Sequence, residues 1–251
     1  MIFLIKELKA DRWKYIITAV ILLFLAITIV WQYPFVKNML KQGTMEGMPD
    51  WLASQAEAQT EFPYYLSANW FDKNLIQITV ILSILLGMSV FAKEIEDHTI
   101  EFLLARPLSR QKLFLMKTTI QLVIIFGYVF ISSAVMGLTG YFLGYEINFI
   151  RLIIGSLPVL IKCYIIYSLT LYFSLMLDDQ IKSGLLTFVL IIAMIGLSFM
   201  DIPVKLNIFS YARATNYYVF GDFPLGESLI LLGIAGVLYF LAYNKFLRRD
   251  F

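Results

Sequence analysis

The chain has 251 residues, of which 60% are hydrophobic and only 15% charged, with a mean hydropathy of +0.77. That balance excludes an ordinary soluble domain and describes a polytopic membrane protein. The net charge of +2 is small and its cations are spread among loops, which gives no basis for nucleic-acid binding. The one cysteine, Cys163, lies in an apolar stretch, so no intrachain disulfide can form and the residue reads as a small apolar filler.

In chain order, residues 1–14 carry Phe3, Leu4 and Leu8 among Lys6, Glu7, Lys9 and Asp11. This pattern suits an amphipathic helix in the membrane interface, and equally a solvated helix end. The apolar run that follows, about residues 15–31, is long enough to span and has no small-residue cleavage site after it, so it is expected to be a retained anchor rather than a signal peptide. Further spans are expected at about residues 74–92, 118–143, 152–177, 183–200 and 228–246, giving six transmembrane helices in one all-α membrane domain. No repeat or long linker divides the chain.

Six spans place both termini on one side. Lys6, Lys9, Arg12, Lys14, Lys93, Arg106, Arg110, Lys112, Lys117, Lys182, Lys245, Arg248 and Arg249 share that side, against Lys37, Lys41, Lys73, Arg151, Lys205 and Arg213 on the other. The positive-inside rule makes the termini and the loop after Ala92 cytoplasmic. Trp31, Tyr33, Tyr64, Tyr65, Trp70, Tyr141, Tyr145, Tyr217 and Tyr218 then gather near the outer interface as an aromatic belt. Two outer segments exceed simple turns: residues 34–73, where Asp50 is placed to cap a helix through Glu57, and residues 201–227, which read either as an interfacial loop or as a segment dipping in to line a pathway. In the third span Ser133, Gly137, Gly140 and Gly144 share a face that admits a close neighbour.

Enzymatic chemistry is poorly supplied. His98 is the single histidine, which removes two-histidine metal sites, and neither a Gly-x-Ser-x-Gly elbow nor a phosphate-binding Gly-x-x-x-x-Gly-Lys-Ser/Thr loop occurs. No catalytic or metal-binding residue is expected. Lys162 is the one clear ionisable residue deep in a span, four positions after Pro158. Such a residue either lines a wet pathway or satisfies itself by snorkelling or by bonding a neighbouring carbonyl.

Between Phe91 and Lys117 a dense polar passage interrupts the apolar pattern, and its charges need water or a soluble partner. Glu94, Asp97 and Glu101 are spaced to share a helical face, Pro107 forces a turn, and Ser109 is placed to cap the third span, so a helix, turn, helix unit is expected. The run Glu94-x-Glu96-Asp97-x-Thr99-x-Glu101-x-Leu103-Leu104-x-Arg106-Pro107-x-Ser109-Arg110, with Lys117 heading the next span, resembles the first cytoplasmic loop of type-2 ABC exporter permeases. His98 departs from that pattern, since a glycine is common there.

The resemblance implies a cell-membrane permease that pairs with a second permease copy or paralogue and with two ATP-binding cassette subunits, which would hold the ATP and Mg. It implies contact with those subunits through Glu94, Glu96, Asp97, Thr99, Glu101, Arg106 and Arg110, and export of an amphipathic or hydrophobic substrate such as a drug, an antimicrobial peptide or a lipid-like molecule. An ion-coupled secondary transporter and a noncatalytic membrane scaffold or immunity protein are the alternatives.

Overall fold

The structure is a computed structural model that describes residues 11–42, 49–101, 108–177, 179–197 and 207–249. The expected amphipathic segment 1–14 lies mostly outside the described residues, as do Arg106 and Pro107. Six helical spans long and apolar enough to cross a bilayer are present, and among the described residues every regular element is helical.

The spans run further than hydropathy alone marks out. Helix α1 covers Arg12–Gln42 and carries Pro34 in its interior. At 1.5 Å per residue its 31 residues reach about 46 Å, beyond a hydrocarbon core of about 30 Å. A short helix, α2 (Asp50–Ala58), follows with Pro49 at its N-cap, so Asp50 begins the helix rather than capping it. The second span is composite: α3 (Phe62–Asn69), a π-helical turn at Trp70–Leu75, α4 (Ile76–Ser89) and α5 (Ala92–Glu96). The third is α6 (Arg110–Phe142), started by Ser109, whose hydroxyl accepts from the Lys112 backbone N–H at 3.3 Å as the sequence predicts. The fourth is α7 (Phe149–Gly155) and α8 (Leu157–Leu177), interrupted at Ser156 just before Pro158, whose ring nitrogen has no hydrogen to donate back up the helix. Helices α9 (Gln180–Leu197) and α10 (Leu225–Arg248) complete the bundle.

Helix α8 is central, packing against α10, α4, α9 and α6, while α1 lies along α6. A tight backbone approach is at Gly87 of α4, where a Cβ would stand 2.9 Å from Thr170 Cβ and 3.0 Å from the Tyr167 carbonyl oxygen. The glycine lets two backbones meet where any side chain would hold them apart. Gly137 and Gly140 similarly admit Phe149, Leu152 and Ile147, which fits the small-residue face read from the sequence. Gly144 instead ends the stripe in a left-handed turn at φ +83°. Cys163 is buried, and its thiol lies 3.1 Å from Thr79 Oγ1.

The aromatic belt divides into two sets. Trp31 and Tyr141 are 71% and 63% exposed on the bundle surface, as a belt requires. Tyr33, Tyr65 and Trp70 are instead in the core: Tyr33 and Tyr65 join Phe62 and Tyr145 in an edge-to-face and stacked cluster, and Trp70 donates to Ser133 Oγ at 3.0 Å. Burial of a Tyr or Trp asks for a partner for its polar atom, and Tyr65 finds the Ile29 carbonyl while Tyr33 finds that of Thr60.

Candidate functional site

Antiparallel spans gather Arg12, Glu96, Arg110, Leu177, Gln180 and Arg248 at one end of the bundle, hereafter the charged end. Helix α5 stops there after five residues in a Schellman turn: the Thr99 N–H donates to the Glu94 carbonyl at 2.8 Å and the His98 N–H to that of Ile95 at 3.1 Å. The turn needs a left-handed residue, and His98 takes it at φ +53°. Glycine is the natural occupant of such a position, which accounts for the glycine common in the sequence pattern and leaves His98 in a conformation that disfavours a side chain. The turn also breaks the single helical face expected for Glu94, Asp97 and Glu101. Glu101 lies in a separate helical segment beginning at Ile100, and residues 102–107 lie outside the described residues.

The seven loop residues consequently fall into different roles. Glu94 turns inward and meets the buried Lys117 ammonium at 2.5 Å, where Lys117 also lies 5.5 Å from the centre of the Phe91 ring. Phe91 in turn packs on Phe114 of α6 and Phe246 of α10, an aromatic plug joining three spans. Glu96 Oε2 accepts from the Gln180 N–H at 3.3 Å at the start of α9. Arg110 Nη1 donates to the Arg249 carbonyl at 2.7 Å and more distantly to that of Leu247, a cation placed on the carbonyl-rich end of α10. Arg249 reaches across to the Leu175 carbonyl of α8. Asp97, Thr99 and Glu101 are exposed. Nearby, Asp179 caps α9 by accepting from the Lys182 N–H at 2.9 Å, and that bond, with the Lys182 ammonium at 3.0 Å, holds its carboxyl below the usual carboxylate range.

Lys162 occupies the opposite half of the bundle. It is 2% exposed, and its ammonium donates to the Ala212 carbonyl at 3.2 Å. Ala212 belongs to the segment between α9 and α10, which contains a 3-10 turn at Ile208–Ser210 and a π-helical turn at Asn216–Phe220. Its backbone is left-handed at φ +47°, and its N–H donates to the Glu227 carboxylate. Both polar groups of that peptide neighbourhood are thus satisfied by charged side chains, one from α8 and one from α10. This is the condition under which irregular backbone can sit inside a membrane bundle. A second tether joins Thr215 Oγ1 to Asp72 Oδ2 at 2.6 Å, with Asp72 carried on the π-helical turn of the second span. Ala212, Ala214, Thr215 and Tyr218 are buried, so one face of this segment packs against the bundle, while Tyr211, Arg213, Asn216 and Phe220 are exposed on the other. Beneath it lies a cavity of about 880 Å³ lined by Asp72, Lys162, Arg213 and Thr215 together with apolar residues of α4 and α9.

Asp72, Ala212, Thr215 and Glu227 were not singled out by sequence reasoning. The available signal was indirect: a cation inside a span needs an oxygen partner, and Asp72 and Glu227 are acids at the same end of two spans that both pack on the helix of Lys162. Among the described residues no cluster of His, Cys, Asp and Glu is arranged to hold a metal ion.

No curated protein sequence matches the chain. A family model described as ABC-2 family transporter protein matches residues 4–219, which include both the charged-end loop and the segment over the cavity. With six apolar spans and that match over most of its length, the chain is a multi-pass membrane permease and belongs to the ABC-2 family of transporter proteins.

Proposed function

We propose that the chain is the permease subunit of an ATP-driven exporter in the cell membrane, with its charged end in the cytoplasm, working with two ATP-binding cassette subunits and a second permease copy or paralogue. The substrate class is amphipathic or hydrophobic. ATP and Mg belong to the partner subunits.

The observation that carries the reading is the construction of the charged end in a chain of this family. Asp97, Thr99 and Glu101 are exposed, while nearby residues are bonded to other spans: Glu94 to Lys117 on α6, Glu96 to the start of α9, and Arg110 to the end of α10. A push on the outer face from a closing ATPase dimer would be delivered to three spans at once. In this mechanism Asp97, Thr99, Glu101 and Arg106 meet the ATPase, whereas Glu94, Glu96 and Arg110 carry the displacement inward. Lys162 and the cavity beside it belong to the substrate side.

Two measurements test this. The full chain is purified from its native membrane, and co-purification of an ATPase is scored for the wild type and for Glu101→Lys and Asp97→Lys. Charge reversal at a desolvated contact costs about 2 to 5 kcal/mol, so assembly and coupled ATPase activity should fall. Recovery of the chain with no ATPase would overturn the exporter reading in favour of a noncatalytic scaffold. Unchanged assembly and activity in both variants would overturn the contact residues alone. On a Cys163→Ala background, single cysteines at Glu57 and Tyr217 should label from outside intact cells and one at Arg106 should not. Outside labelling at Arg106 would invert the topology.

A further inference from the structure

The cavity is polarised along the bundle. Toward the outer end its lining is polar, with Gln59, Asp72, Asn207, Arg213 and Asn216. Toward the charged end it is apolar, with Ile81 and Ile84 of α4 facing Phe188 and Ile191 of α9. Because α4 descends from Ile76 as α9 rises from Gln180, the two helices bring their apolar residues to the same depth. Below Gln77, the apolar wall of α4 from Ile78 to Ile84 runs about 9 Å at 1.5 Å per residue, room for much of one alkyl chain. Ile81 and Phe188 are each 50% exposed, so this half of the cavity is open on a side that an acyl chain can enter from the bilayer.

The polar half has a sign. Its described lining holds two cations, Lys162 and Arg213, against one carboxylate, Asp72, while the nearby Glu227 carboxylate lies outside the lining and is engaged by the Ala212 N–H. Asp72 already accepts the Thr215 hydroxyl at 2.6 Å, which occupies part of its hydrogen-bonding capacity. Lys162 has three N–H donors, of which the Ala212 carbonyl takes one. The volume of about 880 Å³ lies within the usual range for a small-molecule site.

We infer that this cavity binds a single-chain amphiphile with an anionic headgroup, its head at Arg213 and Lys162 beneath the Ala212 segment and its tail between α4 and α9. The inference rests on the exporter reading only for the claim that this ligand class is the substrate. Binding itself requires neither an ATPase nor transport. Arg213 sets the charge preference: its guanidinium can meet a phosphate with two parallel donors, which a neutral amide cannot reproduce. Phe188 bounds the tail.

The test uses the full chain in nanodiscs of phosphatidylcholine, with radiolabelled dodecyl phosphate as probe. Dodecyltrimethylammonium and inorganic phosphate are the competitors. Saturable binding at one site per chain is expected, with inorganic phosphate competing poorly because it lacks the tail and the cationic amphiphile failing to compete. Arg213→Gln should weaken the probe by about tenfold or more, Arg213→Lys should weaken it less because it keeps the charge while losing the paired donors, and Phe188→Glu should abolish it. Arg213 is exposed, so its variants should remain folded, which thermal melts of the same samples check. Equal competition by dodecyltrimethylammonium, or binding unchanged in both Arg213→Gln and Phe188→Glu, would overturn the inference. Competition by inorganic phosphate as strong as by unlabelled dodecyl phosphate would also overturn it, by showing a free-anion site. Probe binding in a chain that never co-purifies with an ATPase would overturn the exporter reading and leave this one standing. Absent binding beside an intact ATPase complex would do the reverse.

Discussion

The ion pair between Glu94 and Lys117 offers a quantitative test of the charged end. At 2.5 Å and an effective dielectric constant near 20, the gross attraction is roughly 6 to 7 kcal/mol, most of it offset by desolvation of the two ions. The partners are unequal, since the Lys117 side chain is 2% exposed and that of Glu94 18%. Replacing Glu94 with Gln removes this carboxylate from beside a buried ammonium, and breaking a buried pair in this way commonly costs about 3 to 5 kcal/mol. Water reaching Glu94 and the Phe91 ring beside Lys117 bring the expectation down to about 2 to 3 kcal/mol. Replacing Lys117 with Met leaves a carboxylate that can rehydrate, and the Met side chain packs on Phe91, so the cost should be nearer 1 kcal/mol. The double variant should lie within about 1 kcal/mol of Lys117→Met, which makes the coupling energy about 2 kcal/mol. Unfolding in mixed detergent micelles with rising sodium dodecyl sulfate, followed by circular dichroism, measures all four corners of the cycle. Additivity to within about 0.5 kcal/mol would refute the pair as an internal strut, and Glu94 would then rejoin Asp97 and Glu101 as a surface residue.

Gly87→Ala should destabilise the bundle by about 1 to 3 kcal/mol in the same unfolding assay, because its Cβ would press on Thr170 and on the unyielding Tyr167 carbonyl; an unchanged midpoint would mean that α4 and α8 part without cost. His98→Gly should stabilise the protein by about 0.5 to 1 kcal/mol, since glycine accepts the left-handed turn that histidine occupies under strain, and a lower melting temperature would contradict the Schellman geometry. The folded pKa of Asp179 lies below its unfolded value, so the stabilisation from its ionised form is present above about pH 4 and is lost as pH falls through the folded pKa. The melting temperature of the wild type should therefore exceed that of Asp179→Asn at pH 7, and the gap should narrow as pH falls through the folded pKa; a gap independent of pH would show that the charge contributes nothing.

Much of this architecture was legible in the sequence because it depends on short-range or additive effects. Each span is a sum of transfer energies over some twenty residues, and a sum is readable without knowing the neighbours. Ser109 caps α6 through an atom three residues away, and the odd histidine at position 98 falls where the turn demands a left-handed residue. The helical extensions beyond the apolar runs, including α1 past Pro34, were not legible, since those residues are polar enough for a loop and are held helical by packing of Tyr33 and Phe62.

The charged groups mark the boundary most clearly. From the sequence, Glu94, Asp97 and Glu101 are three equivalent acids in one loop, and Lys162 is a cation with several admissible fates. Composition and hydropathy by themselves determined the membrane setting, the number of spans and the end at which charge collects. Only the tertiary structure decided that Glu94 turns in to Lys117 while Glu101 faces out, and that Lys162 and Glu227, 65 positions apart, hold the two sides of Ala212. The physical reason is range. A hydropathy sum is a property of one helix and its solvent, whereas an ion pair or a charged clasp exists only at separations near 3 Å, which the packing of separate helices sets and no single segment encodes.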